Sequence, residues 1–413
     1  MRIFSGIQPT GAKHFGNYSG GFRQYVQTQE QGEAFFCIVD LHSITVEHDP
    51  QELRKSTLDL AALLFATGLD PDRSTVFVQS HVTAHAEAAW LLSAVSSVGE
   101  LRRMTQYKDK SRAHEFVSAG LFTYPVLMAG DVLLYQTDLV PIGDDQRQHL
   151  ELMRDVGARF NARYGETFKL PQGVYPKVGA RIMDLQEPDK KMSTSTSSEM
   201  GKILIVDPPE AIRKKIMSAV TDTGREVRRA EDKPGITNLV DIMSVASGQR
   251  PEEIERRYAD AGYGRFKAEV ADAVIELLRP IRERHAQLLA EGDELQRLLA
   301  EGAERAREIS APTLQAMYDR MGFTRPARAE AGTAGLLAGR APLEDPTGLD
   351  HPGRLGHQPV VDDLRPGLHG QVVDPHLLER QELSGELVGL ADRDLGPVPV
   401  DQEDHRQVHP GDG

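Results

Sequence analysis

The chain has 413 residues, 39% of them hydrophobic and 27% charged, with a formal net charge of −14, which predicts a soluble globular protein of two or three domains. Its single cysteine, Cys37, excludes an internal disulfide framework and a zinc cage, and the histidines are scattered, so no dedicated metal site is expected. No apolar run reaches the roughly 18 residues of a membrane span and the N-terminus carries no signal-peptide pattern, so a cytoplasmic location without membrane or DNA partners is expected.

In chain order, the pattern predicts a strand over 2–7 that ends in the turn Gln8-Pro9-Thr10-Gly11. A helix over 17–29, a strand over 34–39 and a helix from Asp49-Pro50 through Phe65 follow, with proline in the first turn as expected. A third strand over 75–79 and a helix over 84–95 complete a β-α-β-α-β-α alternation. That alternation implies a doubly wound parallel sheet, α/β and Rossmann-type, whose ligands sit beyond the carboxyl ends of its strands. Gln8, Asp40 to His42, and Gln79 to His81 fall at those ends. Beyond Pro208 the pattern turns helical, over 209–220, 236–246, 251–261, 264–290 and 293–321.

The chain changes character near residue 330. Residues 331–413 hold nine of the fourteen net negative charges, 13 of the 37 glycines and 9 of the 24 prolines, without a lysine, aromatic, isoleucine or methionine. Such a segment cannot bury enough apolar surface to offset its chain entropy, and disorder is expected. The same arginine-only, Gly/Pro/His-rich composition is also what out-of-frame translation of GC-rich DNA produces.

Two short segments carry phosphate chemistry. His14-Phe15-Gly16-Asn17 opens the first helix, where unpaired N–H groups and two polar side chains suit an anion and Gly16 permits close approach. Lys190-Lys191-Met192-Ser193-Thr194-Ser195 joins cations to hydroxyls in a loop that can close over a leaving pyrophosphate. An ordinary glycine turn and a solvated linker would read similarly in isolation; their joint presence on this topology favours a nucleotide site.

In these two segments the chain resembles the class I aminoacyl-tRNA synthetases, as counterparts of the HIGH and KMSKS elements. Within that class it is similar to the bacterial tryptophanyl enzymes. Phe4-Ser5-Gly6-Ile7-Gln8-Pro9-Thr10-Gly11, Phe36-Cys37-Ile38-Val39-Asp40-Leu41-His42, Arg103-Met104-Thr105-Gln106, Pro141-Ile142-Gly143-Asp144-Asp145-Gln146-Arg147-Gln148-His149 and Pro176-Lys177-Val178-Gly179-Ala180-Arg181-Ile182-Met183 carry the likeness, which spans about residues 1–325. It departs at Thr194, where the KMSKS element has its second lysine; Lys190 and Lys202 are possible substitutes.

The resemblance implies a tryptophan pocket of Phe4, His42, Met128, Asp131, Val132, Val140, Ile142 and Gln146, with Asp131 accepting the indole N–H and Tyr124 and Gln146 holding the substrate ammonium. It implies that Gln8, Pro9, Thr10, Gly16 and Asn17 hold ATP from one side and that Gly143, Asp144, Asp145 and Ile182 frame its ribose and adenine. Lys191, Met192, Ser193, Thr194 and Ser195 would close on the phosphates, with His14, Asn17, Lys191, Ser193, Thr194 and Ser195 as the catalytic set. ATP and Mg²⁺ arriving with it, L-tryptophan, tRNA(Trp) and a second copy of the chain are the implied partners. A catalytic domain over 1–205, with an inserted helical segment at about 104–170, would precede a helical anticodon-binding domain over 206–325 and the tail 326–413. Arg213, Lys214, Lys215, Arg225, Arg228, Arg229 and Lys233 supply the charge for tRNA phosphates. A tyrosyl enzyme, a nucleotidyltransferase of the same superfold and a synthetase paralogue that no longer charges tRNA are the alternatives. The helical region opposes the nucleotidyltransferase, and the string Gly143 to His149 opposes the tyrosyl enzyme.

Overall fold

The computed structural model describes residues 1–108, 116–143, 146–175 and 181–324. The expectations for Asp144, Asp145, residues 176–180 and the tail lie outside the described residues. Five parallel strands, β1 (Arg2–Ile7), β2 (Glu33–Ile38), β3 (Ser74–Val78), β4 (Leu139–Pro141) and β5 (Gln172–Val174), form one sheet in the order β3-β2-β1-β4-β5. Strand order reverses at β1. The carboxyl ends of β1 and β4 therefore diverge from their crossovers on opposite sides and leave a crevice between them.

Period-2 alternation sends successive strand residues to opposite faces, and both faces are buried. Ile7, Phe36, Ile38, Val76 and Val78 join α4 (Pro50–Ala66) in one core. That core continues without a break into the helical region through Ile236, Leu239, Phe266, Val270 and Leu278. Phe4, Phe35, Cys37 and Phe77 face the other way and pack with α5 (Ala84–Ser93), α7 (Ala119–Leu133) and α8 (Arg147–Tyr164). Tyr135 sits fully buried among Phe35, Phe4 and Phe77, with ring centroids 4.9, 5.4 and 5.8 Å away.

The first crossover is not one regular helix. A single α-turn, α1 (Phe15–Asn17), widens into a π-helical segment over Tyr18–Phe22 before α2 (Arg23–Thr28) resumes. Gly20 and Gly21 fall inside the widened turn, where side-chain-free backbone tolerates the change of pitch. The segment 104–170 is likewise not helical throughout: it also contributes β4, paired to β1 at Ile3 and Leu139. Between α5 and α7 runs α6 (Val98–Arg103). A short α3 (Asp40–Ser43) follows β2.

The helical region comprises α9 (Pro209–Met217), α10 (Pro234–Ser247), α11 (Pro251–Tyr258), α12 (Gly262–Ala290) and α13 (Gly292–Met321). α12 packs on α4, α9 and α10, whereas α13 returns to the sheet and packs on β3 and α5. No described helix is long and apolar enough to cross a membrane. α13 meets β3 at Gly302, where an added Cβ would collide with the Val76 carbonyl. Backbone cannot yield as a side chain does, so Gly302→Ala should destabilise by about 1–3 kcal/mol. Urea unfolding of the variant, with a lowered midpoint and an unchanged slope, checks this; an unchanged midpoint would show that the helix is not seated at Gly302.

Candidate active site

The crevice at the strand reversal is a cavity of about 650 Å³, within the range that holds a small ligand. β1 contributes Phe4, Gly6 and Ile7, with Gln8 and Thr10 beyond its end; β4 contributes Val140 and Pro141, with Ile142 and Gly143 beyond. Helix α7 offers Tyr124, Met128, Asp131 and Val132, and His42, Gln106 and Gln146 complete the polar wall. Every residue expected to form the tryptophan pocket thus lines one cavity, although the set spans more than 140 positions of sequence.

Asp131 is the organising group. It is 2% exposed, yet it borders the cavity. Its Oδ1 accepts from Gln79 Nε2 at 2.6 Å and lies 2.7 Å from His85 Nδ1; its Oδ2 lies 2.8 Å from His42 Nε2. Burial pushes its pKa up, but the hydrogen bonds from the two histidines outweigh burial and hold the carboxyl well below the usual carboxylate range. An ionised carboxylate only accepts, so both histidines must present N–H to it. His85 Nε2 lies 2.9 Å from the Tyr135 hydroxyl. A carboxylate has about four acceptor positions. Among the described residues, Gln79 and His85 fill both on Oδ1 and His42 fills one on Oδ2, which leaves a single position for a ligand donor.

Elsewhere on the cavity wall the Tyr124 hydroxyl lies 2.7 Å from His149 Nε2 and 3.2 Å from Gln106 Oε1. Burial pushes the phenol up to about 12, so it stays a neutral donor and acceptor. Phe4, Met128, Val132, Val140 and Ile142 provide apolar wall to the same cavity.

The two phosphate segments, far apart in sequence, lie against each other. The Phe15 N–H donates to the Ile203 carbonyl at 2.8 Å, the Ile205 N–H donates to the Lys13 carbonyl at 2.9 Å, and His14 bridges Leu204. Thr194 Oγ1 donates to the Ala12 carbonyl at 3.3 Å, and the Thr194 methyl occupies the space a Cβ would need at Gly11, whose φ of +64° also favours glycine. Ile182 stands beside Gly16. The loop base is held by antiparallel pairing of Met183 with Lys191 and by Asn238 of α10, which bonds both the Met183 N–H and the Met183 carbonyl at 2.8 and 2.9 Å. Within the loop, the Ser193 N–H donates to Ser197 Oγ at 2.9 Å, while Lys191 and Ser195 are exposed.

The helix-terminus reading of residues 14–17 needs refinement, because α1 is a single turn. Asn17 Oδ1 accepts from the His14 N–H at 2.9 Å, which closes that turn and leaves the amide NH₂ as a donor. His14 is 4% exposed, and its Nδ1 has no partner among the described residues. Pro9 stands in a neighbouring groove rather than in the main cavity. Gln79 was expected at a ligand-facing strand end without an assigned role, and His85 and Tyr135 were not among the expected site residues. The one signal for them was the rule that a buried carboxylate needs donors, applied to the polar residues at and after the end of β3.

A family model described as tRNA synthetases class I (W and Y) matches residues 1–279. A tryptophan–tRNA ligase of Clostridium tetani is 52% identical over 322 residues, 78% of this chain and 95% of that protein. The chain belongs to the class I tRNA synthetases of the tryptophan and tyrosine type. A tryptophan–tRNA ligase of Bacillus subtilis is 50% identical over 327 residues, 79% of this chain and 99% of that protein. The crystal structure of the tryptophanyl-tRNA synthetase of Campylobacter jejuni, complexed with ADP and tryptophan, matches with a TM-score of 0.71 at 34% identity, over 78% of this chain and 100% of that chain.

For this synthetase the basic residues expected to meet tRNA divide sharply. Lys215 is buried and bonds Asp207 and Glu199 at 2.7 and 3.0 Å; Lys233 is buried on Asp222 and Tyr263 at 3.0 and 2.8 Å. Neither can reach a phosphate, and both act as struts. Arg213, Arg228 and Arg229 pair with Asp272, Glu226 and Glu252, whereas Lys214 and Arg225 are exposed.

Burial first, then the charges of Lys191, Lys13 and Lys202, push His14 down to about 4 from 6.5. The unfolded chain therefore binds more protons than the folded one between those values, and this group's stabilisation, present above pH 6.5, is lost as the pH falls towards 4. The melting temperature should fall across that window, and His14→Gln should flatten the fall. Parallel pH profiles for parent and variant would show that His14 does not carry the effect.

Proposed function

We propose that the cavity binds L-tryptophan, that the paired segments 14–17 and 191–195 bind the triphosphate of ATP, and that the chain then charges tRNA(Trp). The observation that carries the amino-acid choice is the single open acceptor position on a carboxylate that stays ionised at the end of an apolar slot. Indole is a large apolar plane with one N–H donor, so it fills the slot and completes the carboxylate. A phenylalanine ring would leave the fixed carboxylate short of a donor.

In the first step the tryptophan carboxylate oxygen attacks the α-phosphorus of ATP in line. The bond from that phosphorus to the bridging oxygen breaks, its electron pair leaves with pyrophosphate, and tryptophanyl-adenylate remains. A ribose hydroxyl at the 3′ end of the tRNA then takes the acyl group and AMP leaves. Neither step needs a protein nucleophile; positioning and charge stabilisation supply the rate. Gln106, Tyr124 and Gln146 orient the ammonium end. Gln8, Thr10 and Gly143, at the strand ends, hold the nucleotide beside it, with Pro9, Asp144, Asp145 and Ile182 as further contacts. Mg²⁺ enters on the triphosphate.

The helical region from residue 206, as an anticodon-binding domain, would meet tRNA through exposed charge such as Lys214 and Arg225. A homodimer is supported by apolar exposure: Ile44, Val46 and Phe116 line one open groove, and Trp90 is 79% exposed. A cytoplasmic location follows from this role in translation.

ATP–pyrophosphate exchange with each of the twenty amino acids tests the reading: tryptophan alone should support rapid exchange. Asp131→Ala should raise the tryptophan KM by about 10- to 100-fold, the equivalent of about 1.5–3 kcal/mol, and should narrow the preference over phenylalanine. Unchanged selectivity would remove Asp131 from the pocket.

A further inference from the structure

Position 194 raises a question of charge. The leaving pyrophosphate gathers negative charge, and Thr194 offers only a neutral hydroxyl, already donated to Ala12. Lys190 cannot make up the difference, because it is exposed and paired with Glu187. Lys202 braces the loop, its Nζ donating to the Thr194 carbonyl at 3.0 Å, and it does not line the main cavity.

Lys13 stands differently. It lies in the β1–α1 turn on which Thr194 docks, and it lines the main cavity beside Gln8 and Thr10. Its Nζ donates to the Thr10 carbonyl at 2.8 Å and to the Gln8 carbonyl at 3.1 Å. An ammonium has three donors, so one remains. No described carboxylate lies within ion-pair distance of it, and burial lowers its pKa, with Asp59 partly opposing. It is therefore a cation held by neutral carbonyls in a partly desolvated wall, with Asp59 acting on it only from beyond ion-pair distance. Lys13, Lys191 and Lys202 also converge on His14, whose proton affinity all three depress. Carbonyl-held ammonium on one side and a docked loop on the other make a fixed electropositive wall.

We propose that Lys13 contacts the β- and γ-phosphates of ATP and supplies the charge that position 194 lacks, with Lys202 holding the loop in register. This rests on the ATP reading of the site and assigns that reading a further residue. The donor left on Nζ meets oxygen atoms whose charge rises only as the α-phosphorus–oxygen bond breaks, so the gain belongs to the transition state and should appear in kcat more than in the ATP KM. No proton moves, and Lys13 stays an ammonium throughout.

The test is stopped-flow adenylate formation at saturating tryptophan, over a range of ATP concentrations. Lys13→Met keeps the stem and removes the charge; it should slow the step about tenfold or more with little change in the ATP KM. Thr194→Lys in the Lys13→Met background should restore most of the loss, which repair of mere packing would not do. If Lys13→Met does not fold, Lys13→Gln makes the same comparison. An unchanged rate in Lys13→Met, or a loss that Thr194→Lys does not restore, overturns the proposal. Lys191→Met serves as the reference: a loss there with none at Lys13 removes only this inference, whereas no loss at either position removes the ATP reading of the loop.

Discussion

A buried carboxylate that stays charged needs donors, and this requirement organises the pocket. Asp131 lies on α7, Gln79 just beyond β3, His42 in the short helix after β2 and His85 in α5. Four elements are thus tied to one group, and removing any donor would leave charge uncompensated in a low-dielectric interior. The network extends through Tyr135 into the aromatic core between the sheet and α13. If the pocket takes tryptophan as proposed, substrate recognition and the packing of that core face share the same side chains.

The second constraint is topological. Because strand order reverses at β1, the ends of β1 and β4 open towards the same space, and whatever follows β1 must lie at the mouth of that space. The turn after β1 and the loop around residue 194 meet there. Their contacts are mostly backbone to backbone: Phe15 with Ile203, Lys13 with Ile205, His14 with Leu204. Such pairing fixes the relative position of two loops whose side chains remain available to a nucleotide. Lys215 secures the far end of the loop from the helical region, through Asp207 and Glu199, and Asn238 secures the near end at Met183. The helical region therefore does structural work for the phosphate site, whatever it contributes to RNA binding.

Much of this was legible in the sequence. The three leading strands and the long helices fall within a few residues of the expected bounds, because buried parallel strands and amphipathic helices leave strong periodicities. Phe4, His42, Asp131 and Gln146 could be grouped only by resemblance, since no local pattern links residues from four separate segments. Of the donors to Asp131, His42 was expected in the pocket and Gln79 was placed only at a ligand-facing strand end, while nothing marks His85 in its alanine-rich helix until a buried charge is seen beside it. No pattern in the sequence singles out Lys13, whose ammonium is held by the Gln8 and Thr10 carbonyls. The π-helical segment broke an expected helix at Gly20-Gly21, a pair that weakens helix propensity without specifying the alternative. Lys215 and Lys233 misled in the opposite sense, because a cluster of cations in a sequence does not say which of them are turned inward.

The central claim is that the indole N–H completes the coordination of a permanently ionised Asp131. Its most direct test is calorimetric binding of L-tryptophan to the unmodified protein, compared with β-(3-benzothienyl)alanine, in which sulfur replaces the N–H and the ring shape is nearly kept. The account predicts affinity weaker by about 100-fold or more for the sulfur analogue, since a site built to bond a donor strongly rejects the ligand that lacks it. Equal affinities would contradict it and would reduce the pocket to an apolar slot.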